Sequence, residues 1–218
     1  MPEIKYFKYP RTYHCPESKP GGDDRVLDNL DHFIGKEVVV TCKLDGENTT
    51  CYRDKIHARS LNSHHHPSRN WMKAFHSTFC YNIPEGYRIC GENMQAKHAI
   101  YYENLPTYFF VFGVYDENNV CLSWDNTVKI CNTLGLTTVP VLYRGIWDED
   151  KVKACFTGRT IVDRVDVGEM EGYVVRIADS FSYDDHTVNT YKFVRDGHIA
   201  GDVEHWSKGT YTPNKLKS

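Results

Sequence analysis

The chain has 218 residues, 40% of them hydrophobic, enough to bury one substantial core. Its 26 Lys and Arg against 29 Asp and Glu leave a net charge of −3, which excludes nucleic-acid binding through a global positive field and demands a local basic patch for any such partner. The eight cysteines are scattered without a Cys-x-x-Cys pair, which excludes a zinc-ribbon site and suits reduced thiols.

Nothing at Met1-Pro2-Glu3-Ile4-Lys5 resembles a secretory signal, and no apolar run is long enough to span a bilayer. The expected setting is a soluble, reducing, cytoplasmic one with no membrane partner. An aromatic content of 13%, with 15 Tyr, favours ordered strands and stacking surfaces over disorder.

Residues 10–24 are rich in Pro, Gly and charge and read as a loop. A helix is predicted over 25–34, with Leu27, Leu30 and Phe33 on one stripe and Gly35 as its stop. The β-branched run from Glu37 to Cys42 reads as a buried strand that delivers Lys43 at its end. Trp71, Met72, Phe75 and Phe79 fall at helical spacing over 68–79, with Ser68 as candidate N-cap, and read as core. Strands are predicted at 87–92 and 108–115. Short helices follow at 125–134 and 148–156, ending at Gly135 and Gly158, and further strands at 172–177 and 190–194. The elements lack a regular βαβ alternation, so the expected class is α+β with largely antiparallel sheets flanked by short helices.

Lys43-Leu44-Asp45-Gly46-Glu47-Asn48 sits where a buried strand meets a turn, and Gly46 allows a tight turn and close approach of a ligand to the backbone. A lysine is nucleophilic only when neutral, yet its ordinary pKa of about 10.4 keeps it charged. The expectation is therefore that desolvation and nearby cations lower the pKa of Lys43.

Five further segments follow in order: His57-Ala58-Arg59-Ser60-Leu61, Arg88-Ile89-Cys90-Gly91-Glu92-Asn93, the aromatic strand from Phe109 to Asp116, Glu171-Gly172-Tyr173-Val174-Val175-Arg176, and Tyr191-Lys192-Phe193-Val194-Arg195. With the Lys43 segment, this series resembles the covalent nucleotidyltransferases, which include ATP-dependent RNA ligases, DNA ligases and mRNA capping enzymes, and is most similar to the RNA-ligase branch. The resemblance implies a nucleotidyltransferase (adenylyltransferase) fold and an enzyme that seals RNA 5′-phosphate and 3′-hydroxyl ends through lysyl-AMP and RNA-adenylate, with ATP and Mg2+ as cofactors.

It further implies Lys43 as the nucleophile and Asp45, Asn48, Arg59, Glu92, Phe112 and Lys192 as nucleotide-binding residues. Glu92 would bond the ribose, Phe112 would stack on adenine, Asn48 would hold a phosphate or the sugar, and Arg59 and Lys192 would meet the α-phosphate. Glu171 would serve a magnesium ion held mainly through water. Many members carry two motif V lysines one residue apart, whereas only Lys192 is present here and Arg195 lies further on.

The alternatives are a DNA ligase, a capping guanylyltransferase, or a catalytically silent nucleic-acid-binding module. Residues 1–218 are expected to form a single catalytic domain, with 196–218 a short extension lacking an OB-fold or helical domain. Adjacent residues of His64-His65-His66 point different ways in an extended loop, so that run reads as solvated loop. In the extension, Trp206 either packs on the domain or stacks on a nucleic-acid strand with Lys208, Lys215 and Lys217 supplying charge.

Overall fold

The computed structural model describes residues 5–18, 24–62, 66–197 and 211–218. In chain order the strands are β1 (Tyr13–His14), β2 (Glu37–Lys43), β3 (Glu47–Cys51), β4 (Ile56–Ala58), β5 (Arg88–Asn93), β6 (Phe109–Tyr115), β7 (Val120–Cys121), β8 (Thr137–Thr138), β9 (Val141–Ile146), β10 (Arg159–Val162), β11 (Val165–Glu169), β12 (Gly172–Ile177), β13 (Phe181–Ser182) and β14 (Thr190–Val194). The helices are α1 (Ser68–Phe79), α2 (Trp124–Leu134), α3 (Glu149–Lys153) and α4 (His186–Asn189).

One sheet runs β1-β14-β12-β2-β9 and a second runs β13-β7-β6-β5-β3-β4, with β8 added against β6 and β10-β11 a separate hairpin. All pairings are antiparallel except β1 with β14 and β6 with β8. The fold is therefore α+β with antiparallel sheets and few short helices, as the mixed pattern predicts. One apolar cluster, including Val38, Val40, Phe110, Tyr115, Tyr173 and Val175, fills the space between the two large sheets. A second packs α1, through Met72 and Phe79, onto Cys51, Ile89, Phe109 and Val111 on the opposite face of the β5-β6 sheet.

Three predicted elements are corrected. Residues 25–34 hold no α-helix, only a 3-10 turn at Asp31–Phe33. Their backbone is spent instead on β1: the His14 amide donates to Arg25 O and the Leu27 amide donates to His14 O. The stripe still packs inward, with Phe33 buried in the core and Leu27 and Leu30 against it. Ser68 is the first helical residue of α1 and not its N-cap, since Pro67 holds that position. The helix predicted over 148–156 closes at Lys153, with the Asp148 carboxylate capping it by accepting from the Lys151 amide.

By contrast, α2 is capped as expected, ending at left-handed Gly135. All eight cysteines are free, and none of the described helices is long and apolar enough to cross a membrane.

The last described residues, 211–218, are stitched to the loop between β5 and β6. Asn214, buried, accepts from the Tyr102 amide through Oδ1 at 2.8 Å and donates through Nδ2 to Met94 O at 2.7 Å and Ala96 O at 3.2 Å. The Lys215 and Lys217 amides donate to Tyr102 O and Leu105 O. Part of the predicted extension is thus structural, whereas Trp206, Lys208 and the His64-His65 pair lie outside the described residues.

Tyr102 passes this support onward, because its hydroxyl accepts from the Asp45 amide at 3.2 Å in the turn after Lys43. Asn214→Ala strands buried partners and is expected to cost about 2–4 kcal/mol. That is a fall of roughly 4–16 °C in Tm, read by thermal unfolding.

Candidate active site

Register places the predicted residues. In the β2-β12-β14 ladder, Lys43 pairs with Gly172 and Gly172 with Val194, while Thr41 pairs with Val174 and Val174 with Lys192. Rows two residues apart share a face, so Lys43 and Lys192 project from the same side of the sheet. Glu171 lies one residue before Gly172, and its Oε1 stands 2.6 Å from Lys43 Nζ.

Gly172 has no substitute at this point. A Cβ on it would lie 1.9 Å from Phe193 O, so any side chain would force β12 and β14 apart beside the Lys43–Glu171 pair.

The opposing sheet supplies the facing wall. Asn48 on β3 pairs with Glu92 on β5, and the β6 strand places Phe112 on the same side as Phe110. A cleft between the sheets is lined by Lys43, Asn48, Arg59, Glu92, Phe112 and Lys192. Six of the eight predicted site residues therefore meet in one cavity.

The other two stand beside it. Glu171 is buried against Lys43. Asp45 does not line the cleft: its Oδ2 accepts from the Ala99 and Ile100 amides, both at 2.8 Å, and so fixes the turn. Gly46 lines the cleft, and it is also required for a close approach within the protein. Its missing Cβ would lie 2.6 Å from Asn93 O and 2.7 Å from Met94 Sδ, so protein, not ligand, fills that space.

Charges in the cleft are strongly coupled. Burial disfavours the Lys43 ammonium, but Glu171, Glu92 and Asp45 outweigh it and the pKa is raised. The expected depression of the Lys43 pKa is thus not a property of the empty fold, because its nearest charged neighbours are carboxylates rather than cations. Glu92 is pushed up to about 8, chiefly by burial, with Glu171 and Asp45 adding and Lys43 and the Gly46 amide opposing. In its protonated form it can donate as well as accept.

Lys192 is lowered, by burial first and then by Lys43, with Asp24 opposing. Its Nζ lies 3.2 Å from Asp24 Oδ2, which also bonds His14 Nε2 at 2.9 Å. Asn48 lines the cleft, and its Oδ1 is buried without a hydrogen-bond partner among the described residues, an acceptor that a ligand could satisfy.

Among the described residues, no group of three or more His, Cys, Asp or Glu forms a metal cage. Glu171 is nonetheless a hard oxygen donor next to the nucleophile candidate. Few protein ligands and many waters suit Mg2+ rather than a dedicated cage.

Several lining residues have no sequence signal: Tyr9, Pro10, Thr12 and His186, while Arg176 closes the motif that begins at Glu171 without having been assigned a role. The first three belong to the stretch before β2, where turn-forming composition masks a chain that folds back over the cleft. Arg176 is buried, with its guanidinium donating to Ile177 O, Leu122 O and Asp179 O.

A family model described as RNA ligase matches residues 36–194, which take in Lys43 through Lys192. The chain belongs to the RNA ligase family. Its fold is also similar to that of Naegleria gruberi RNA ligase solved with PPi, at TM-score 0.52 and 18% identity, covering 78% of this chain and 52% of that one. A lysine-to-alanine variant of the Naegleria enzyme with ATP and Mn matches at TM-score 0.53 and 18% identity, over 78% and 53%. A glutamate-to-alanine variant with AMP and Mn matches at TM-score 0.53 and 17% identity, over 78% and 53%. The present chain thus spans about half the length of these structures. No curated protein matches it in sequence.

Within this RNA-ligase-family chain, Phe110 and Phe112 separate into two roles. Phe110 is fully buried in the core, whereas Phe112 is half-buried and lines the cleft. Stacking on a base is worth about 1–3 kcal/mol. Phe112→Ala is expected to raise half-saturating ATP by about tenfold with little change in Tm, and Phe110→Ala to lower Tm first. Titrating ATP and melting both variants distinguishes them; equal ATP effects would remove the stacking role.

Proposed function

We propose that the chain is an ATP-dependent RNA ligase of the covalent nucleotidyltransferase superfamily, with its fold the adenylyltransferase fold. The observation that carries this is the Lys43–Glu171 pair, at 2.6 Å, beside a cleft shared with Asn48, Arg59, Glu92, Phe112 and Lys192. Family membership supports RNA as the partner, and the Naegleria structures with ATP and Mn support an adenine nucleotide and a divalent metal.

In this scheme the Lys43 ammonium gives a proton to solvent, its Nζ attacks the α-phosphorus of ATP, and a second proton leaves Nζ for solvent as the phosphoramidate forms. The P–N bond forms as the bond to the β-phosphate oxygen breaks and pyrophosphate leaves. Lys192 and Arg59 neutralise charge on the α-phosphate, Glu92 bonds the ribose, Asn48 bonds the sugar or a phosphate, and Phe112 stacks on the base. A 5′-phosphate oxygen of RNA then attacks the AMP phosphorus and releases Lys43, and a 3′-hydroxyl displaces AMP from the RNA-adenylate. Glu171 would be the protein group to hold a magnesium ion, which would supply charge neutralisation at the phosphates.

Incubation with ATP or GTP and magnesium, followed by intact-mass and peptide analysis, tests the scheme. An AMP adduct confined to Lys43, transferred to 5′-phosphorylated RNA, is the expected result. A GMP adduct would favour a capping guanylyltransferase, sealing of nicked DNA but not RNA a DNA ligase, and the absence of any adduct a silent binding module.

A further inference from the structure

His186 is buried in the wall of the cleft and is anchored at both ring nitrogens. Tyr115 Oη lies 3.1 Å from Nδ1, and Thr12 Oγ1 lies 3.3 Å from Nε2. Two cations, Arg176 and Arg59, face the ring and no carboxylate contacts it among the described residues. Burial first, then these arginines, push its pKa down to about 3, so the imidazole is neutral and carries one N–H.

Two tautomers fit the two contacts. If Nδ1 carried the proton, it would donate to Tyr115 Oη, and the Thr12 hydroxyl would donate to Nε2. The Tyr115 hydroxyl proton would then need another acceptor. Tyr115 is fully buried, and His186 is the only hydrogen-bond partner that Oη has among the described residues. Leaving a buried O–H unmade costs about 1–3 kcal/mol. The opposite tautomer satisfies every group: Tyr115 donates to Nδ1, and Nε2–H donates to Thr12 Oγ1.

With its oxygen occupied as an acceptor, Thr12 has its own proton left to give. Thr12 is half-buried, has no other hydrogen-bond partner among the described residues, and lines the cleft close to Tyr9, whose ring lies edge-on to both Phe112 at 4.9 Å and His186 at 5.0 Å. Beside Arg59 and Arg176, the cleft wall carries apolar and aromatic side chains, among them Phe112, Val139, Val174 and Phe181. Such a wall suits a planar base more than a phosphate.

We infer that Thr12, locked as a donor by the Tyr115–His186 relay, gives a hydrogen bond to an unprotonated ring nitrogen of the adenine base. This rests on the reading above that an adenine nucleotide occupies the cleft. Thr12 is a specificity-determining contact, and His186 and Tyr115 are positioning residues that fix its polarity.

Equilibrium binding of AMP, 1-deaza-AMP, 3-deaza-AMP and 7-deaza-AMP to the full chain tests it, using wild type, Thr12→Val and Thr12→Ser. Thr12→Val is expected to weaken AMP binding about tenfold, and Thr12→Ser to restore most of it. The loss should vanish on the one deaza analogue that lacks the accepted nitrogen. Wild-type AMP affinity in Thr12→Val, or the same loss on all three analogues, overturns the inference. Normal AMP binding without any lysyl-AMP from ATP would instead sink the proposed ligase chemistry and leave the base contact standing.

Discussion

Lys43→Ala is expected to abolish covalent AMP capture, with a loss of roughly 10⁴-fold or more, because the proposed chemistry makes its amine the nucleophile and alanine offers none. Lys43→Arg should be equally inactive, since a guanidinium stays protonated throughout the working pH range. Both variants should remain folded. Lys43 is at the end of β2, partly exposed, and its removal takes out a cation and not core volume.

Loss of the ammonium leaves Glu171 without its 2.6 Å partner, so a modest change in Tm is expected, separable from the chemical loss. Intact-mass measurement after incubation with ATP and magnesium reads the result. An AMP adduct on either variant, at any lysine, would exclude Lys43 as the nucleophile.

The strands that carry Lys43, Glu92 and Lys192, and the one that begins just after Glu171, are all legible in the sequence: β2, β12 and β14 are β-branched or aromatic runs, and β5 is a short run around Ile89 and Cys90 buried in the sheet interior. β3 is not, although Asn48 is on it: Glu47-Asn48-Thr49-Thr50 is polar, and it becomes a strand by pairing with β4 and β5. Long-range pairing likewise undoes the helix expected over 25–34, where local periodicity lost to the bonds with β1.

In the site, motif order located the charged residues but not their balance. Lysine chemistry alone suggested a depressed Lys43 pKa, whereas the fold surrounds Lys43 with three carboxylates. Thr12 and His186 come from segments with no motif of their own. Only the folding of the N-terminal stretch and of α4 against β6 brings them to the cleft.

Glu171→Gln is expected to slow adenylylation on the order of 100-fold, about 2.7 kcal/mol of barrier, while barely changing shape. Two effects of the lost charge oppose each other, and pH separates them. Glu171 is the foremost of the carboxylates that favour the Lys43 ammonium, so removing its charge lowers the Lys43 pKa. The neutral nucleophile then appears at lower pH, and the rising alkaline limb of the rate profile should move toward acid.

Were that the only effect, the variant would be faster than wild type at neutral pH. The predicted net loss therefore measures the carboxylate's contribution to charge neutralisation at the phosphates, which a glutamine amide, a neutral and weaker oxygen donor, replaces poorly. The magnesium concentration for half-maximal rate should rise in parallel. Single-turnover adduct formation across pH and magnesium concentration checks both shifts. An unchanged rate with unchanged magnesium dependence would remove Glu171 from the metal site, and an acid shift without a slower maximum would reduce its role to setting the protonation of Lys43.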